Sequence, residues 1–99
     1  MGPTITRHDL SSALIQILEA RGVASPEDAV EVLGSPDDGV RLFVLVPSKR
    51  ARAALADDLM KVTGRRHPTA GDIWILDDTQ SVALIKLSRS MDVKAQTQQ

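Results

Sequence analysis

The two histidines are the first residues of this chain to weigh as catalysts. Nucleophilic catalysis needs a base that a third group holds in place, and His8 and His67 are the only imidazoles in the 99 residues. His8 falls in the first turn of a predicted helix. His67 follows two arginines beyond the end of another helix, where positive charge favours the helix dipole. We interpret both as solvated surface residues, and we predict no catalytic residue and no enzymatic activity.

Paired aspartates could hold a metal ion, and three such pairs occur: Asp37-Asp38, Asp57-Asp58 and Asp77-Asp78. The first and third fall in predicted turns, where aspartate is common because its carboxylate bonds the neighbouring backbone. Asp57 can pair with Lys61 one helical turn later. The acid-x-Lys strand motif of metal-dependent nucleases is missing, as are a glycine-rich phosphate loop and any cysteine for a thiolate zinc site. We therefore predict no metal and no cofactor.

Basic residues concentrate in one segment. Residues 1–47 carry three Arg and seven Asp or Glu, whereas residues 48–66 carry six Lys or Arg and two Asp. Three of these cations fall in the first turn of a predicted helix, where the dipole disfavours positive charge by about 0.3–1 kcal/mol each. The free N–H groups of a helix start bind anions readily. The candidate partner-binding or anion-binding residues are Lys49, Arg50, Arg52, Arg65 and Arg66.

The two aromatic residues, Phe43 and Trp74, are too few for the stacking platform of a single-strand binder. Phe43 lies in the most apolar predicted strand, so we expect it in the core. Two interpretations of Trp74 stay open. It is either a core residue or an interface anchor, since tryptophan is enriched at binding hot spots.

Length and composition indicate one globular domain. A chain of 99 residues buries roughly two-thirds of its unfolded surface, enough to fold without disulfides or metals. The absence of cysteine favours a reducing compartment, and no apolar run reaches the ~18 residues of a membrane span. We expect a cytoplasmic protein. The eight Arg against four Lys, with abundant Ala, suggest a microbial source.

The N-terminal half predicts a helix, then a segment of mixed character. Thr6 can cap a helix over Thr6–Arg21, with Asp9 completing a capping box, and Gly22 can end it in the left-handed conformation. The segment Ser25–Gly34 combines a helix start at Ser25-Pro26 with alternating Val and Glu. We expect one helical turn that runs into a short strand.

The rest of the chain predicts three strands and one helix. The strand Val40–Val46 is almost entirely apolar, so we expect it to be central and buried on both faces. The helix Lys49–Thr63 begins at a Ser48 cap, and Gly64 can end it. We expect the last two strands to form a hairpin, which closes at residues 77–80. These last strands are Asp72–Leu76 and Ser81–Leu87.

These elements predict a small α+β domain over residues 1–90 and a frayed polar tail over residues 91–99. The expected order is α, (β), β, α, β, β, with a three- to four-stranded, mostly antiparallel sheet and two helices packed on one face. The strand Ser81–Leu87 carries only one charge, so as an edge strand it could pair with its twin in a homodimer.

With no catalytic pattern, we expect a non-enzymatic protein-binding module: an adaptor, an inhibitor or a subunit of a larger protein. Short domains without motifs are frequent among regulatory and mobile-element proteins. The alternative is a nucleic-acid or phosphate-binding protein that uses the basic start of the second helix. A membrane partner is not expected.

Overall fold

The computed structural model describes residues 5–34, 41–68 and 73–97. It is an α+β fold, as predicted, with four helices and a three-stranded antiparallel sheet. Residues 35–39 of the predicted turn lie outside the described residues. The elements are α1 (Arg7–Ala20), α2 (Pro26–Ala29), β1 (Glu31–Gly34), β2 (Arg41–Leu45), α3 (Lys49–Thr63), β3 (Ile73–Asp77) and α4 (Asp78–Thr97).

The ends of α1 follow its sequence signals closely. The Thr6 hydroxyl accepts from the Asp9 N–H at 3.1 Å, and the Asp9 carboxylate accepts from the Thr6 N–H at 3.0 Å. At the other end Gly22 has φ 77°. The Val23 N–H donates to the carbonyl of Leu18 at 3.0 Å, which closes the chain back on the helix. The predicted capping box and glycine stop are confirmed.

The segment after α1 is a single helical turn followed by a short strand, as expected. Pro26 occupies the first turn of α2, where its missing N–H costs nothing. Ser25 does not cap α2 through its side chain. It adopts φ 49° and ψ 57°, in the left-handed region, and makes no side-chain cap hydrogen bond.

The sheet has the order β1-β2-β3, so β2 is central as predicted. It is not buried on both faces, however. Leu42 and Val44 are buried, whereas Phe43 and Leu45, which alternate with them, are only half-buried. The expectation that Phe43 belongs to the core was wrong, because the helices cover only the face that Leu42 and Val44 share.

The segment predicted as the last strand is a helix. Residues Ser81–Leu87 lie within α4, and of residues 77–80, predicted to turn a hairpin, Asp77 ends β3 and the next three begin that helix. The Asp77 carboxylate accepts from the Gln80 N–H at 2.8 Å, and the Gln80 side chain accepts from the Asp77 N–H at 2.9 Å. This reciprocal cap satisfies two free N–H groups of the helix start. The edge strand on which we based a homodimer does not exist.

The helix α4 also extends further than the predicted strand. Its bounds reach Thr97, so residues 91–97, expected as a polar tail, continue the helix. Among residues 78–91, whose burial the structure describes, the buried positions of α4 are Ser81, Leu84 and Ser88. These are spaced by three and four residues, which places them on one helical face.

The core lies between one face of the sheet and the helices. The three long helices α1, α3 and α4 contact one another. In addition, α1 contacts β1, and α4 contacts β3. The largest fully buried apolar side chains come from the helices, from the sheet face that meets them and from Val46 just after β2: Leu10, Leu14, Ile17, Leu18, Val44, Val46, Leu55, Leu59, Leu76 and Leu84.

Candidate functional site

The sheet face opposite the helices is apolar. In the antiparallel register, Leu33, Phe43 and Ile75 lie side by side across the three strands, and Leu45 and Ile73 form the next row with Glu31. Leu33 is 39% exposed, and the other four apolar residues are partly exposed. The core cluster of described residues includes none of the five. We call these five residues, Leu33, Phe43, Leu45, Ile73 and Ile75, the outer sheet face.

The outer sheet face is modest in size and has no charge at its centre. Three strands about 4.8 Å apart, of four or five residues, cover at most roughly 14 Å by 17 Å, or about 240 Å². Glu31 stands at one corner, and Arg41 opposite Asp77 ends the ladder on the other side. Exposed apolar patches of a few hundred Å² occur on monomeric proteins and are often functional.

The basic residues picked out by sequence do not form one patch. Lys49 and Arg50 are exposed in the first turn of α3, which the Ser48 hydroxyl caps by accepting from the Ala51 N–H at 3.3 Å. Arg65 and Arg66 are exposed beyond Gly64, at the opposite end of α3. A helix of 15 residues is about 22 Å long, so this distance separates the two basic groups. Arg52 is half-buried.

Trp74 belongs to the core and not to the surface. It is 5% exposed and lies directly opposite Val44 on the sheet face that meets the helices. This position fits the interpretation of Trp74 as a core residue. On the outer sheet face, Phe43 is therefore the one aromatic residue.

The two histidines and the aspartate pair Asp57-Asp58 lie in different parts of the structure. His8 and His67 are both exposed. Asp57 is exposed, whereas Asp58 is 8% exposed and forms an ion pair with Arg21. The Arg21 guanidinium also donates to the backbone carbonyl of Ala54. The pair thus connects the end of α1 to the middle of α3 and is a structural contact.

A groove of about 590 Å³ runs between α1 and α4. Its apolar lining includes Ile5, Ala13, Val82 and Ile85, and its polar lining includes His8, Asp9, Lys86 and Arg89. The backbone and side-chain hydrogen bonds from Thr6 hold the pKa of Asp9 below its ordinary value of 3.8, with His8 and Arg89 adding to the effect. Asp9 is therefore a carboxylate at neutral pH that is already engaged in the helix cap.

Sequence reasoning missed both the outer sheet face and the groove. The apolar run in β2 indicated the outer sheet face. A continuous apolar strand needs cover on both faces, whereas the predicted fold placed both helices on the same face of the sheet. The groove had no such signal, because its α4 wall was predicted to be a strand.

Within the described residues, no three His, Asp or Glu side chains cluster as ligands for a metal ion. None of the described helices is both long and apolar enough to cross a bilayer. Comparisons with protein-family models, with curated proteins and with solved structures found no match.

Proposed function

We propose that this chain is a non-enzymatic protein-binding module that docks on a larger protein through its outer sheet face. The observation that supports this proposal is the set of five apolar side chains on a sheet face that the described helices do not cover. Leu33, Phe43 and Ile75 sit in adjacent strands at the same level, so one apolar surface of a partner would contact all three.

The size of the face favours a larger protein over a second copy. Two copies stacked by this face alone would bury about 480 Å² in total, well below the ~1,200–2,000 Å² of a stable interface. A larger protein can extend its contact past the face onto the edge strands β1 and β3. We expect such a module to act in the cytoplasm as an adaptor, inhibitor or subunit, in keeping with regulatory or mobile-element proteins.

Site-specific cross-linking in the native host tests this proposal. A photoreactive residue replaces Leu33 in one variant and exposed Asp57 of α3 in another. We expect a protein partner that cross-links from position 33 and not from position 57. Phe43→Lys should abolish the cross-link, whereas Ala56→Lys, which adds the same charge to exposed α3, should retain it. Cross-links from position 33 to another copy of the chain alone, or a partner retained by Phe43→Lys, would contradict the proposal.

Binding of nucleic acid or phosphate by α3 is the second candidate. It is favoured by the exposed cations Lys49, Arg50, Lys61, Arg65 and Arg66 along and beyond α3, where Asp57 is the one exposed acid among residues 48–68. Phosphate contacts release counterions, so affinity must then fall steeply with salt. Filter binding of mixed DNA and RNA at two salt concentrations tests it, with Lys49→Glu and Arg50→Glu together as the variant. We expect only weak retention, all of it lost at the higher salt.

A further inference from the structure

The groove between α1 and α4 is a second surface, independent of the outer sheet face. Of the residues that line it, Ala13 and Ser88 are buried, and the others, such as Ser12 and Gln16 on α1, are exposed or partly exposed. The volume of about 590 Å³ falls within the range of binding clefts. Apolar side chains form part of its lining, so an occupant would exclude water from them.

Two cations and one anion line the groove. Lys86 and Arg89 are exposed one turn apart on α4. The acidic residue that lines the groove, Asp9, already accepts a hydrogen bond from the Thr6 N–H at 3.0 Å. The groove therefore complements an occupant that has an apolar side and carboxylates beside it.

The walls of the groove favour a helical occupant. Both walls are helices, whose interior backbone groups already bond within the helix. An extended segment would find no backbone partners there, and unpaired backbone groups are costly when buried. A helix brings its own backbone hydrogen bonds. Val82 to Arg89 spans about 10 Å of α4, and His8 to Gln16 about 12 Å of α1, which matches two turns of a docked helix.

We propose that the α1–α4 groove binds an acidic amphipathic helix of a protein partner. Another copy of this chain does not offer such a helix among the described residues. The exposed residues of α3 include Lys49, Arg50 and Lys61 against one acid, Asp57, and the described exposed residues of α4 include Lys86 and Arg89 against one acid, Asp78, so neither helix presents an acidic face. The helix α1 is itself a wall of the groove. The helix α2 is four residues long. The occupant thus comes from a different protein.

A pair of designed peptides tests the proposal on the full chain. The first is a capped 14-residue helical peptide with leucines spaced by three and four residues and glutamates beside them. The second carries lysine at every glutamate position. Amide chemical shifts of the labelled protein locate the binding, and fluorescence anisotropy measures affinity. We expect the glutamate peptide to bind saturably and to shift amides of α1 and α4, and the lysine peptide not to bind.

Charge variants complete the test. Lys86→Glu with Arg89→Glu should weaken binding about tenfold or more, whereas Lys61→Glu on α3 should leave it within twofold. Circular dichroism confirms that each variant is folded. Equal binding of both peptides, shifts confined to α3 or to the outer sheet face, or no binding at all would overturn the proposal. None of these outcomes bears on the cross-linking test from position 33, so the two proposals fail separately.

Discussion

At the scale of single residues, the Arg21–Asp58 pair connects the end of α1 to α3. Nη1 and Nη2 of Arg21 both donate to the Asp58 carboxylate, the second at 3.2 Å, and Nη1 also donates to the Ala54 carbonyl. A carboxylate that is 8% exposed has lost most of its water, so it depends on this partner. The neighbouring Asp57 has no such dependence because it is exposed.

The adjacent aspartates form a matched pair for measuring this contact. Asp58→Ala should lower the free energy of unfolding by about 1.5–3 kcal/mol, the range for a hydrogen bond to a charged group. Asp57→Ala should change it by less than about 0.5 kcal/mol, as an ordinary surface substitution does. Urea unfolding of both variants checks this expectation. Equal effects of the two substitutions would contradict it.

The capping box of α1 predicts a dependence of stability on pH. The Thr6 hydrogen bonds lower the pKa of Asp9 below 3.8 in the folded state. The unfolded chain therefore binds a proton at Asp9 first as pH falls. The stabilisation by Asp9 is fully present above its ordinary pKa and is lost as pH falls through the lower, folded value. The difference in stability between the native chain and Asp9→Ala should persist at pH 6 and shrink below pH ~3.8. Urea titrations at several pH values measure it, and a constant difference would contradict the assignment.

At the scale of elements, local signals predicted α1 and α3 correctly. They failed at α4, where the spacing of apolar residues fits a strand and a helix equally. The caps at Thr6 and Ser48 and the glycine stops at Gly22 and Gly64 placed α1 and α3 correctly, because each depends on a few neighbouring residues. The segment Ser81–Leu87 is apolar at both alternate and helical spacing, so its pattern fits a strand or a helix. The Asp77 and Gln80 cap and the contacts of α4 with α1 distinguish the two, and the contacts are not visible in the sequence.

A proline in the middle of this segment distinguishes a helix from an edge strand. Ala83 is exposed in α4, so Ala83→Pro removes no core contact. In a helix interior the change should cost about 3 kcal/mol or more, whereas an edge strand tolerates proline. Ala83→Ser is the matched control and should cost less than ~1 kcal/mol. Urea unfolding followed by circular dichroism measures both, and a proline variant as stable as the serine variant would contradict the helix.

At the scale of the whole molecule, a single layer of helices leaves the sheet with two unlike apolar faces. The sequence predicted the α+β class and the central position of β2, because both follow from element order and apolar content. It could not show which apolar residues stay outside the core, since Phe43 and Val44 are equally apolar. Only the placement of all three long helices on one side decides that. The same limit applies to Trp74, whose burial depends on its register with Val44.

Two neighbouring residues of β3 measure the difference between the faces. Leu76 is fully buried, whereas Ile75 is partly exposed on the outer sheet face. Leu76→Ala should cost about 2–5 kcal/mol, as cavities in a core do. Ile75→Ala should cost less than about 1 kcal/mol, near the value for a surface substitution. Urea unfolding checks both values. A loss at Ile75 as large as that at Leu76 would show that the outer sheet face is part of the core.

The apolar character of both faces also bears on how β3 finds its register. A shift of one residue moves every side chain of a strand to the opposite face, and proteins normally prevent this by making one face polar. In β3 the shift would turn Ile73 and Ile75 to the inner face in place of Trp74 and Leu76, and Asp77, the one charged residue of the strand, would turn inward with them at its end. The misaligned strand is opposed chiefly by the fit of Trp74 among the helices and by Asp77, which caps α4. We therefore expect α4 to help select the correct pairing of the strand that precedes it.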